Sequence, residues 1–253
     1  MSGHSKWSSI KHKKGAAAAK RGKLFSKLTR AIIVAAKEGG PDPAGNLALQ
    51  NAIEKARSNS MPKDNIDRAI AKGSGADSDS AAYETVVYEG YGPAGVAIMV
   101  DALSDNRNRT SASIRHRFSK GGGNLAEANA VGWMFERKGA ISVGAGKQDP
   151  EDVGLAAIEA GADDVQVEGK SVDITTSPNS FEKVKSALEA IPGVTIENAE
   201  VTMQPKQTVA VDEGKAVAVL RLMESLEEDD DVQQVYANFD IAADVLERVS
   251  AQV

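Results

Sequence analysis

Residues 140–203 read AISVGAGKQDPEDVGLAAIEAGADDVQVEGKSVDITTSPNSFEKVKSALEAIPGVTIENAEVTM. Ala140–Val143 reads as a strand and Pro150–Ala160 as a helix. Val165–Glu168 and Ser171–Thr176 follow as strands, then Phe181–Ala190 as a helix and Val194–Met203 as a strand. This β-α-β-β-α-β order is the ferredoxin-like signature. The flanks hold the pieces of a second such unit. Upstream, Tyr83–Glu89 and Val96–Asp101 are rich in strand formers and enclose Gly90-Tyr91-Gly92-Pro93-Ala94-Gly95, which reads as a hairpin. Asp105–Lys120 is helical, with Ser104 or Asp105 as cap and Gly121-Gly122-Gly123 as stop. Val131–Arg137 is a strand candidate. That β-β-α-β series lacks one helix and one strand, and the tail offers both, at Glu213–Ser225 and Val232–Phe239. Short connections and adjacent pairing favour a second α/β domain interrupted by a third. A serial arrangement of the same elements is the alternative.

The first 75 residues carry a different period. Leu24, Leu28, Ala31, Ile32 and Ala35 recur at helical spacing, and Gly39-Gly40-Pro41 ends that helix. Leu49, Ala52, Ile53 and Ala56 repeat the pattern in Asn46–Arg57. Pro62 is placed to open a third helix, lined by Ile66, Ala69 and Ile70 and ended by Gly73-Ser74-Gly75. The expected fold class is therefore α+β: a helical N-terminal domain plus two ferredoxin-like-type α/β domains, the third inserted in the second. The expected boundaries are 1–75 for the helical domain, 76–138 with 208–253 for the interrupted domain, and 139–207 for the insert.

Charge divides the chain at the same place. Residues 1–75 hold 15 basic and 5 acidic groups, while residues 76–253 hold 15 and 31, within a total of 30 and 36. The first thirty residues carry nine Lys or Arg and no acid. A chain that concentrates one sign at one end does so for a polyanion, nucleic acid first and an anionic membrane second. Lys and Arg neutralise phosphates with release of counterions, which gives affinity without sequence preference. The candidates are Lys6, Lys11, Lys13, Lys14, Lys20, Arg21, Lys23, Lys27 and Arg30, with Trp7 as a stacking group and His12 as a further donor. Lys20, Lys23, Lys27 and Arg30 form a stripe about 120° around their helix from the apolar one. The plain alternative is a solubilising tail with Trp7 packed on the helical domain. A second basic group lies on the Asp105–Lys120 helix: Asn106, Arg107, Arg109, Arg117 and Lys120, beside His116. Its alternative is a solvated face with Arg–carboxylate pairs.

Other chemistry finds little support. Gly90-x-Gly92-x-x-Gly95 matches a dinucleotide-binding pattern, but that mechanism needs a helix directly afterwards and Val96–Val100 reads as a strand. Glu227-Glu228-Asp229-Asp230-Asp231 lacks the alternating spacing of a calcium loop and reads as a solvated acidic turn. The chain has no Cys and three His, which removes thiolate sites and leaves little for a histidine metal site. No nucleophile-elbow, phosphate-loop or zincin motif occurs. The expectation is a nonenzymatic protein with no cofactor, no metal, no small-molecule substrate and no membrane partner, in the cytoplasm.

Several stretches resemble the YebC/PmpR family. They are Gly3-His4-Ser5-Lys6-Trp7 with Ile10–Lys14, Asn59–Ile66 with Arg68-Ala69-Ile70 and Lys72-Gly73, Tyr88–Pro93, and Asp105–Thr110. The resemblance implies a helical domain plus two α/β domains, one inserted in the other. It implies a DNA-binding transcriptional regulator of the bacterial cytoplasm. The family also includes a mitochondrial translational activator and ribosome-associated factors that help translation through proline runs. A ribosomal-RNA-binding translation factor is thus the alternative function, and the oligomeric state stays open. One stretch departs from the family: its glycine-rich segment is replaced by Gly122–Val131, with Ala126-Glu127-Ala128-Asn129-Ala130 before the strand, so no role of that loop is carried over.

Overall fold

A computed structural model describes residues 18–75 and 83–250. These residues fall into two compact units. The first contains the helical domain, the chain to Gly132, Val211–Ala237 and the C-terminal helix. Its opening helices are α1 (Ala18–Gly39), α2 (Leu47–Ser58) and α3 (Lys63–Gly73). Leu28, Ile32, Ile33 and Ala36 of α1 share one core with Leu49, Ile53 and Ala56 of α2 and Ile66 and Ala69 of α3. Burying each of the larger side chains is worth about 1.5–3 kcal/mol. Asn46 fixes the α1–α2 turn. Its side chain accepts from Leu49 N at 3.1 Å and donates to Ala35 O at 2.7 Å and Gly40 O at 2.8 Å. Gly73 lets α3 lie against α1, since a Cβ there would sit 2.7 Å from Ala36 Cβ.

The same unit holds an antiparallel sheet. Its first two strands, β1 (Glu84–Tyr91) and β2 (Ala97–Ser104), form the expected hairpin, in which Tyr91 faces Ala97 and Glu84 faces Ser104. The short β3 (Asn124–Leu125) joins the outer side of β1, and β9 (Val232–Ala237) the outer side of β2. The helices α4 (Arg107–Lys120) and α7 (Glu213–Glu227) pack on this sheet and on each other. Gly90 permits that packing: a Cβ there would meet Asn124 O at 2.5 Å and Phe118 Cε1 at 2.7 Å. The last helix, α8 (Ala243–Ser250), buries Leu246 and Val249.

The second unit comprises the described residues Trp133–Ala210 and Asn238–Ala243. Its elements are β4 (Phe135–Gly144), α5 (Pro150–Ala160), β5 (Asp164–Glu168), β6 (Ser171–Thr176), α6 (Phe181–Glu189) and β7 (Thr195–Pro205). The sheet order is β5-β6-β4-β7, antiparallel throughout, which is the split βαβ arrangement. Ile141, Val143, Val172 and Ile174 turn inward onto Val153, Ala157, Val184 and Leu188 of the two helices. On the opposite face Ser142 donates to Asp173 at 2.7 Å. A two-residue parallel pair, β8 (Val209–Ala210) with β10 (Phe239–Asp240), completes the unit.

Three local expectations need correction. No strand spans Val131–Arg137: Val131 is buried, Gly132–Met134 is a 3-10 turn, and Phe135 opens β4, which belongs to the second unit's sheet. The third strand of the first unit is instead Asn124–Leu125, too short to show a period. Val232–Phe239 is not one strand, because pairing with β2 ends at Ala237 and Phe239 crosses to Val209. The cap of α4 is Asn106, whose side chain accepts from Arg109 N at 3.1 Å, while Ser104 holds Asn106 N at 2.9 Å.

Candidate nucleic-acid interface

The helix α4 carries five Lys or Arg and His116, and no acid. Thr110, Ile114 and Phe118 turn inward and set its rotation. Two flanks result. Arg109, Ser113 and Arg117 face the turn that follows α7, whereas Asn108, Ser111, Ala112, Arg115, His116 and Ser119 form an open strip along the outer side.

The turn after α7 is the acidic run Glu227–Asp231, and it is not solvated as its composition suggests. Asp229 and Asp231 are only 7% and 5% exposed. Asp231 accepts from Arg109 Nη2 at 2.7 Å, Thr110 Oγ1 at 2.6 Å and Arg30 Nη1 at 3.0 Å. Asp229 accepts from Arg117 Nε at 3.1 Å, from Ser113 Oγ and from the Asp231 amide at 3.1 Å. Burial raises the Asp231 carboxyl. The hydrogen bonds from Arg109 and Thr110 and the charges of Arg109 and Arg30 outweigh burial and hold it below the usual carboxylate range. The same contacts, Asp231 first and Asp105 second, push Arg109 further up.

The basic stripe of α1 meets the same turn. Lys23 Nζ donates to Glu228 O at 3.5 Å, Lys27 to Glu227 O, and Arg30 to Asp230 O as well as to the Asp231 carboxylate. These carbonyls end α7 and follow it, where unsatisfied C=O groups and the helix dipole favour cations. Arg30 also lies over the Tyr83 ring, 5.6 Å from its centre.

A second buried carboxylate organises the end of the Gly122–Val131 loop. Glu89 accepts from the amides of Asn129 at 2.9 Å, Val131 at 2.7 Å and Gly132 at 2.7 Å. Burial raises this carboxyl, but the three amides together lower it below its ordinary value.

The residues proposed from sequence thus have unlike surroundings. Lys6, Trp7, Lys11, His12, Lys13 and Lys14 lie outside the described residues, and Lys20 and Arg21 are described in their backbone only. Lys23, Lys27, Arg30, Arg109 and Arg117 converge on the acidic turn. Asn106 caps α4, and Arg107 and Lys120 are exposed at its two ends. Arg115, which the sequence analysis does not single out, is the cation in the middle of the outer strip. The signal that could have found this division is the pairing of an acid-free helix with an all-acid run in one domain.

A basic helical domain that leads into two antiparallel α/β sandwiches, one interrupting the other, defines a three-domain α+β protein with no helix, among the described residues, long and apolar enough to cross a membrane. Residues 5–76 match the family model of the TACO1/YebC protein N-terminal domain, and residues 83–239 that of the TACO1/YebC second and third domain. The chain belongs to the TACO1/YebC family. It is 53% identical over 252 residues to a protein of Dehalococcoides mccartyi named "probable transcriptional regulatory protein", with all of both chains covered. A protein of Dictyoglomus thermophilum with the same name is 55% identical over 251 residues, covering 99% of this chain and all of the relative. A crystal structure of a conserved hypothetical protein from Aquifex aeolicus is similar at 50% identity and TM-score 0.78, covering 89% of this chain and 92% of that one.

Proposed function

We propose that this protein is a nucleic-acid-binding regulator of gene expression that acts on DNA as a transcriptional regulator in the cytoplasm. The observation that carries the reading is the run of nine cations without an acid over the first thirty residues of an otherwise acidic chain. The relatives' names support the regulatory half of it. Lys6, Lys11, Lys13, Lys14, Lys20 and Arg21 are the phosphate anchors, with Trp7 stacking and His12 donating. Lys23, Lys27 and Arg30 contribute less, because each already holds an acceptor of its own fold. Asn106 and Arg107 add contacts at the start of α4. No step of the reading calls for catalysis or a cofactor.

Changing Lys11, Lys13 and Lys14 together to Gln is expected to weaken binding to all DNA sequences and to flatten the salt dependence by about 0.7–0.9 for each phosphate no longer neutralised. An unchanged slope removes the arm from the interface. Cross-linking in growing cells and sequencing of the bound nucleic acid tests the target. Promoter DNA supports transcription, and ribosomal RNA replaces it with the translation-factor reading.

A further inference from the structure

We infer that the outer face of α4 is a second binding surface for the sugar–phosphate backbone of a nucleic acid, centred on Arg115 and His116, with Lys120 at the far edge of the exposed side, about 140° round the helix from Arg115. The inference rests on the nucleic-acid reading above and adds a site to it.

The face is defined by what the fold has left over. Of the cations on α4, Arg109 and Arg117 are engaged by Asp231 and Asp229. Arg107, Arg115 and Lys120 are exposed and make no side-chain hydrogen bond or ion pair among the described residues. The two buried acids, Asp229 and Asp231, lie beneath the Arg109–Arg117 flank, turned away from Arg115. Three uncompensated cations on an acid-free helix, within a part of the chain holding 31 acids against 15 bases, are a local field of the wrong sign for their surroundings.

The shape fits a polymer. From Asn108 to Ser119 the strip runs about 16 Å at 1.5 Å per residue, enough to meet more than one phosphate of a strand that carries one per about 3.4 Å of duplex axis. Ser111, Ala112 and Ser119 are small, so a strand can approach the helix closely, and Asn108, Ser111 and Ser119 present short polar groups along that path. Arg115 supplies the planar fork suited to a phosphate, and His116 a second donor beside it.

The test uses the full chain with Arg115→Gln and Lys120→Gln combined. A control combines Arg57→Gln and Lys72→Gln, which removes the same charge from exposed positions on α2 and α3. Binding is followed by fluorescence anisotropy against salt, with a duplex DNA and a single-stranded RNA of equal length as probes. The α4 variant is expected to lower the slope of log affinity against log salt by about 1.4–1.8, and the control to leave it unchanged. A reduced slope on either probe supports the site, and the probe that shows it names the source of the phosphates. Equal slopes for the α4 variant and wild type, or an equal reduction in the control, overturn it. A matching reduction against polyglutamate, which has no phosphate, overturns the nucleic-acid assignment in favour of an acidic protein. The variant with Gln at Lys11, Lys13 and Lys14 separates the two readings: if it alone loses binding, the arm stands and the α4 surface falls. Wild-type chain that binds neither probe overturns both.

Discussion

The stripe Lys23-Lys27-Arg30 on α1 and the outer face of α4 around Arg115 are alike in composition and opposite in circumstance. The stripe points at the end of α7, where two backbone carbonyls and the Asp230–Asp231 segment receive it. The α4 face points at solvent, and its carboxylate neighbours lie behind it. A cation on a helix therefore reports nothing about polyanions until its neighbours are known. Helical spacing says which residues share a side; it does not say what stands opposite. Here the acidic run serves as an internal partner, and it sorts the basic residues of two helices into those that hold the fold and those that remain available.

The widest separation between the two regions should appear in stability. Asp231→Ala removes the acceptor shared by Arg30, Arg109 and Thr110 and leaves those donors facing a vacated, largely buried spot. Breaking a buried pair from one side costs about 3–5 kcal/mol, and the partial exposure of both arginines reduces this to about 2–3 kcal/mol. Urea denaturation measures it. A cost below about 0.5 kcal/mol, the usual scale for a surface change, would put the acidic turn in the same class as the α4 face and end the contrast.

Acid should erode the internal region selectively. The Asp231 and Glu89 carboxyls are held below their ordinary values, so each binds its proton less readily folded than unfolded. Their contribution is complete above the unfolded values of about 3.9 and 4.3 and is lost as pH falls through the lower folded ones. Stability of the wild type should therefore drop steeply below about pH 4. Asp231→Asn, less stable at neutral pH, should show a shallower acid limb in the same titration. Parallel curves would mean that the turn is not held as an ionised group.

Next in size is Arg30 itself. Arg30→Gln removes one of several donors to Asp231 and the stacking over the Tyr83 ring. Because Arg109 and Thr110 remain, the cost should be about 1 kcal/mol, the scale of one hydrogen bond. In a double-mutant cycle with Asp231→Asn the two changes should be non-additive, and additivity would show that α1 and the turn are independent.

How far this was legible in the sequence follows the same division. Long periodic segments were readable because one face decides them: Leu28 and Ile32 against Leu49, or the alternation of Ile141 and Val143, need no distant partner to be recognised. The inserted β-α-β-β-α-β order was readable for that reason. Asn124–Leu125 was not, since two residues carry no period and the strand exists only because Gly90 opens space beside Tyr91. The sequence alone places the start of β4 in the wrong sheet because Phe135–Lys138 has the composition of either, and register against Pro205–Thr202 decides between them. Of the candidate site, the basic residues were all visible as residues. Their allocation was not: Asp231 lies 201 positions from Arg30 and 122 from Arg109, and nothing local announces the meeting. The acidic run looked solvated because charge runs usually are, and burial of two members was settled by cations from two other helices.

The smallest expected effect on stability is also the sharpest probe of the comparison. Arg115→Gln removes an exposed side chain with no partner among the described residues, from a helix whose packing rests on Thr110, Ile114 and Phe118. Gln and Arg have similar helix propensity, so the unfolding free energy should move by no more than about 0.5 kcal/mol. Arg30→Gln, chemically the same change on the other helix, should cost about twice that or more and should leave the salt dependence of nucleic-acid binding nearly untouched. Arg115→Gln should do the reverse, with little change in urea and a salt slope shallower by about 0.7–0.9. The two substitutions thus cross: one variant is read in the denaturation curve and the other in the binding curve. If Arg115→Gln destabilised the chain as much as Arg30→Gln, the outer face would be holding something inside the fold, and its charge would no longer be free for a phosphate.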